Sequence, residues 1–269
     1  MSGALGWSVD EAGLGVARLT RPPLNELGEA ALDDLERLAA TLTASEPPCR
    51  ALLLVSGLER GFCAGADLRA LHAAIEARGH ALVAAEVRAF LERLHSALDA
   101  IDQAPLAVAA AVHGVCFGGG LELALTADLI VCDRSARFAF PELRLGLIPG
   151  FGGTVRLARA VGAARLLDLL LTGRSLNAER AREAGLVSQV VAEGKHEAAA
   201  AAALRQTLRL DPRAVAAAKL QAKPLDREAL RAERERFLEL FARPECARAL
   251  ADFAAREDVL PYLPRPAAP

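Results

Sequence analysis

The chain has 269 residues, of which 53% are hydrophobic and 25% charged, with 32 Lys+Arg against 34 Asp+Glu and a formal net charge of -2. This is enough chain for one large domain or two small ones, and it excludes a disulfide-stapled miniprotein and a chain disordered throughout. The near-neutral balance gives no basic footprint for tracking phosphate backbones or anionic lipid, so neither nucleic acid nor a membrane is an expected partner.

In chain order, Gly6 to Asp10 and Gly15 to Thr20 read as two short strands around an Asp/Glu/Gly turn. Leu32, Leu35, Leu38, Ala39 and Leu42 recur at three-and-four spacing, which predicts an amphipathic helix from Glu29 to Leu42, stopped by Pro47-Pro48. Ala51 to Ser56 is a short apolar run before Gly57 and reads as a buried strand. Asp67 to Ala104 has helical periodicity interrupted near Gly79, hence two helices. A strand at Leu106 to Val112, a glycine turn, a helix from Gly118 to Thr126 and a strand at Leu129 to Cys132 follow. That alternation marks an α/β sheet covered by crossover helices.

Beyond Gly153 helical patterns dominate, at Thr154 to Val161, Ala163 to Leu171, Ala178 to Ala184, His196 to Leu208, Pro212 to Ala222 and Arg227 to Phe241. Only Val187 to Val191 still reads as strand. The expected organisation is an α/β core carrying the site over residues 1–192 and a helical C-terminal region over 193–269, with a frayed proline-rich tail at 261–269. The most apolar stretch, 105–132, contains His113, Glu122 and Asp128, which a bilayer would penalise, so it reads as protein core. The N-terminus shows no signal or transit pattern, and a cytoplasmic location is expected. Five widely spaced cysteines without a CxxC read as reduced thiols, and no His or Cys pair has metal-ligand spacing, so no metal is expected.

Three glycine-containing loops stand out: Gly61 to Leu68, His113 to Glu122, and Pro141 to Thr154. Glycine lets backbone approach a ligand closely, and a loop that opens a helix presents free N–H groups with partial positive charge. Glu122 and Glu142 add two carboxylates to these loops. Two acids beside two backbone donors could take a proton from water and deliver one to carbon while the amides hold a developing enolate. The glycines fit neither the GxGxxG nor the GxxxxGK[ST] spacing, which disfavours a nucleotide site. Taken singly, Glu122 also reads as a first-turn acid on a helix dipole, Glu142 as a turn residue, and Cys63 as packing.

Arg21-Pro22-Pro23-Leu24-Asn25, Phe62 to Leu68, Gly114 to Glu122, and Pro141 to Thr154, in this order and at these intervals, resemble the crotonase superfamily, the enoyl-CoA hydratase/isomerase family. Leu171-Thr172-Gly173 with Ala178 to Val187 extends the resemblance over nearly the whole chain. It implies a spiral of ββα units with a helical C-terminal trimerisation region, forming a homotrimer or dimer of trimers. It also implies a coenzyme A thioester as ligand, with no resident cofactor. Carried over residue by residue, the backbone N–H groups of Ala66 and Gly119 form an oxyanion hole. Leu24, Ala64, Ala66, Asp67, Leu68, Arg69, Gly118 and Gly119 then contact substrate or coenzyme. Glu122 activates the water that attacks C3 and Glu142 protonates C2, giving reversible hydration of a 2-enoyl-CoA to a 3-hydroxyacyl-CoA.

Alternatives left open by the same resemblance are double-bond isomerisation, dehydration or decarboxylation of an acyl thioester, and a non-catalytic RNA-binding or assembly role. Where the family often has a basic segment near its C-terminus, residues 251–258 keep only Arg256, leaving Arg69 and Lys219 as substitute sources of charge.

Overall fold

The computed structural model describes residues 3–256. The chain opens with an antiparallel hairpin of β1 (Leu5–Val9) and β2 (Leu14–Leu19), followed by helix α1 (Glu29–Leu42). A unit then recurs. It runs β3 (Ala51–Ser56), β4 (Gly61–Cys63) and the helices α2 (Leu68–Arg78) and α3 (His80–Asp102). It runs again as β5 (Ala107–Val112), β6 (Val115–Phe117) and α4 (Gly119–Ala124). A third pass gives β7 (Leu129–Asp133), β8 (Arg137–Ala139) and a single 3-10 turn at Glu142–Leu145.

The remaining elements are α5 (Gly153–Val161), α6 (Ala163–Thr172), β9 (Leu176–Asn177), α7 (Ala178–Glu183) and β10 (Gln189–Val191). Four helices close the described chain: α8 (His196–Thr207), α9 (Pro212–Ala222), α10 (Arg227–Phe241) and α11 (Pro244–Ala254). The proline-rich tail at 261–269 lies outside the described residues. No described helix is long and apolar enough to cross a membrane.

Each repeat sends its first strand to one sheet and its second to another. The larger sheet has the order β1-β2-β3-β5-β7-β10 and is parallel from β2 onward, while the smaller has the order β4-β6-β8-β9. All six residues of β3 are buried because the sheet is covered on both faces. Leu52 and Leu54 enter the main core, whereas Ala51, Leu53 and Val55 point the other way against Ala200 and Leu204 of α8. Burying one such leucine contributes roughly 1.5–3 kcal/mol.

The predicted ββα spiral is therefore present, with two departures. The strands of the smaller sheet are two or three residues long, too short for alternation to register; β4 and β6 lie inside segments that the sequence presents as glycine loops, and β8 and β9 fall between the predicted elements. Helix α11 occupies a stretch for which the sequence pattern gave no helix, and Pro244 at its first turn fits a helix start.

Candidate active site

The chain from Leu24 to Leu27 runs beside the first glycine loop and fixes it. Ala64 N–H donates to Leu24 O, Leu27 N–H to Gly65 O, and Asp67 N–H to Leu27 O. Asn25, buried, accepts from Arg21 N–H and donates through Nδ2 to Ser56 Oγ and Phe62 O. Asp67 caps α2 by accepting from Ala70 N–H and pairs with Arg21. The amides on either side of Ala66 are thus engaged, Gly65 N–H through Cys63 Sγ.

The second loop delivers Gly119 to the same place. Gly118, at φ 50°, turns the chain into α4, a conformation that favours glycine. A Cβ on Gly119 would stand 3.5 Å from Ala66 N and 2.4 Å from Phe151 Cε2, so only glycine leaves the space between the two amides open. As the first residue of α4, Gly119 has no intrahelical acceptor for its N–H.

Glu122 is one turn further along α4 and only 2% exposed. Its Oε1 accepts from Phe151 N–H and Gly153 N–H, each at 2.7 Å. Glu142 begins the 3-10 turn, its Oε1 2.7 Å from where a Cβ on Gly118 would lie, while its buried Oε2 has no hydrogen-bond partner. Burial pushes the Glu142 carboxyl up to about 8. Burial also drives Glu122 well above the usual carboxylate range, with the nearby Glu233 and Glu142 charges adding and its two amide bonds opposing. Hydrogen bonds to a carboxylate favour its charged form. Two loop amides support the charged form of Glu122, while Glu142 has its own backbone amide in that role and an Oε2 with no partner.

Ala66, Gly119, Glu122 and Glu142 line one cavity of about 370 Å³, together with Ala64, Asp67, Leu68, Arg69 and Gly118. Leu24 is different: its side chain is buried in the core outside the cavity wall, and only its carbonyl supports the loop. Arg69 donates to Ala254 O and Arg256 O and lies over the Phe253 ring, which ties α2 to the end of α11. Lys219 cannot supply charge here, since it is buried and bonded to Leu106 O and Asp128 under the larger sheet. Cys63 is buried with its thiol pushed up to about 12, in keeping with packing rather than nucleophilic use.

Three site residues escape the sequence reading, all from the helical C-terminal region. Phe237 of α10 and Phe253 of α11 line the cavity, and Glu233 of α10 is buried against the third loop. Glu233 sits in the charged run Arg231 to Arg236, which resembles a solvated face. Its spacing from Leu230, Phe237 and Phe241, all buried, is the signal that places it on the inner stripe.

Repeated ββα units that present two helix-opening glycine loops and two acids to one apolar cavity define the crotonase architecture. The chain matches the enoyl-CoA hydratase/isomerase family over residues 10–258 and belongs to that family. It is 35% identical over 249 residues to a probable enoyl-CoA hydratase of Rhizobium meliloti (strain 1021), covering 90% of this chain and 92% of that one. It is 40% identical over 149 residues to a fatty acid oxidation complex subunit alpha of Shewanella sp. (strain W3-18-1); that match covers 55% of this chain and 20% of the longer relative. Among solved structures it is similar to an enoyl-CoA hydratase/isomerase from Mycobacterium paratuberculosis, with a TM-score of 0.83 at 25% identity, covering 94% of this chain and 99% of that one.

Proposed function

We propose that the protein reversibly adds water across the C2=C3 bond of a 2-enoyl-CoA thioester. The observation that carries this reading is the convergence of Glu122, Glu142 and the Ala66 and Gly119 amides on a single cavity. The two N–H groups would hold the thioester oxygen as it gains charge, a contribution of about 3 to 4 kcal/mol per donor. Glu122, its charge supported by two amides, takes a proton from water as the hydroxyl bonds to C3. Glu142, raised to about 8 and so protonated at neutral pH, gives its proton to C2. One proton enters and one leaves the carboxyl pair, so the pair's net charge is unchanged.

Coenzyme A enters only as part of the substrate in this reading, which also carries a cytoplasmic homotrimer or dimer of trimers. The exposed Leu167 and Leu171, one turn apart on α6, support an apolar contact between copies. The test is loss of enoyl absorbance with crotonyl-CoA and with longer and branched 2-enoyl-CoAs. Turnover of at least one is expected, and it should vanish in Glu122→Gln. Turnover of 3-enoyl thioesters alone, lost in Glu142→Gln but kept in Glu122→Gln, would replace hydration with isomerisation.

A further inference from the structure

Glu233, 3% exposed, is a further carboxyl group behind the site that the proposed chemistry does not use. Its Oε1 accepts from Gly152 N–H at 2.6 Å, and its Oε2 accepts from Thr154 N–H at 2.7 Å and from the Thr154 hydroxyl. Glu122 takes the two amides that alternate with these, Phe151 and Gly153. Four successive N–H groups of the loop into α5 are thus divided between an acid from α4 and an acid from α10. None of Glu122, Glu142 and Glu233 has an Arg or Lys within ion-pair distance among the described residues.

We infer that Glu233 is a positioning residue for the Glu122/Glu142 pair: by holding alternate amides of residues 151–154 it fixes the loop that holds Glu122, and it places a third carboxyl group beside the pair. The inference rests on the hydratase reading for its kinetic consequence but not for the charge relation. Burial raises the Glu233 carboxyl above its ordinary value, opposed by three hydrogen bonds to its oxygens, against two for Glu122, and by the nearby Arg156, all of which favour its charged form. Its charge then acts on Glu122 and Glu142 in the same direction as their burial.

The other groups packed around it leave this role to Glu233. From α3, Asp99 and Asp102 are bonded to Arg156, and His95, bonded to Gly150 O, is pushed by burial down to about 4 and is neutral in the working range. From α5, Arg159 goes to Asp102. On its own helix Arg234 lies beside it and Glu235 is paired with Arg88, while Glu245 of α11 is paired with Arg243 and Arg248.

The experiment measures kcat and KM for a 2-enoyl-CoA against pH in wild type, Glu233→Gln and Glu233→Asp, alongside infrared titration of the buried carboxylic-acid bands without substrate. Glu233→Gln should lower kcat on the order of tenfold to a hundredfold with little change in KM. It should also move both limbs of the pH profile, and the carboxylic-acid bands, to lower pH by about one unit. Glu233→Asp restores the charge and should return the pH midpoints while kcat stays below wild type. If Glu233→Gln fails to fold, Thr154→Val removes one donor to Glu233 and should lower kcat severalfold at unchanged KM. Wild-type pH profiles and infrared bands in Glu233→Gln, or unaltered kcat in Thr154→Val, would overturn the inference while hydration stands. Absence of hydration in wild type with the infrared shift present would sink the proposed activity and uphold the charge relation.

Discussion

Two clusters of buried charge meet at Arg156. On one side its guanidinium donates to Asp99 and Asp102, with Arg159 and Lys223 also on Asp102, and Lys223 and Lys219 on Asp128. On the other side it donates to Phe151 O, at the edge of the region that holds Glu122, Glu142 and Glu233, none of which has an ion pair with Arg or Lys among the described residues. Burial would raise Asp102, but Lys223, Arg156 and Arg159 outweigh it and hold the carboxyl below its ordinary value. The same burial without a cation sends Glu122 and Glu142 upward. Satisfied opposite charges fasten α3, α5 and α9 together, whereas crowded, buried like charges favour the neutral form of a carboxyl.

The contrast breaks most sharply at Glu122 and Asp102. Glu122→Gln should reduce kcat for hydration by on the order of 10² to 10⁴, with the urea midpoint unchanged or higher because a like charge is gone. A lower midpoint would mean that Glu122 is structural after all. Asp102→Asn should do the reverse. Three cations lose a partner, so stability should fall by about 3 to 5 kcal/mol, the cost typical of breaking a buried pair, while the folded fraction keeps its pH–rate profile.

The pH dependence of stability sharpens the comparison because Glu142 and Asp102 are shifted in opposite directions. Glu142 titrates near 8 when folded and near 4.3 when unfolded. Its stabilising share is therefore complete below the unfolded value and is lost as pH rises through about 8. Asp102, depressed on folding, contributes stability that is present above its unfolded value and lost as pH falls through the folded one. Urea midpoints measured across this range should therefore decline toward alkaline pH, and Glu142→Gln should flatten that decline while leaving the acid-side loss in place. The smallest effect belongs to Arg88→Ala, which removes an exposed ion pair between α3 and α10 and should cost less than about 1 kcal/mol. A larger loss would mean that this pair helps seat Glu233.

Much of this was legible in residue order alone. The apolar run at 51–56, the break at Gly79 and the helical spacing of 29–42 each encode one dominant force, and the structure follows them within a residue or two. The strands of the smaller sheet escaped because pairing across the fold, not local pattern, makes three-residue segments extended. At the site, the acids and glycine loops were visible because their chemistry is carried by residue type. Glu233 was not, since a buried carboxylate inside a run of arginines differs from a solvated one only through its partners 79 and 81 positions away.

Helix α8 carries a consequence for how the chain is made. Ala51, Leu53 and Val55 are synthesised about 150 residues before Ala200 and Leu204, which cover them. Until that segment leaves the ribosome, one whole face of the central strands is sticky and open to capture by other nascent chains. A transcript interrupted before His196 would yield a product that clumps rather than a smaller working enzyme.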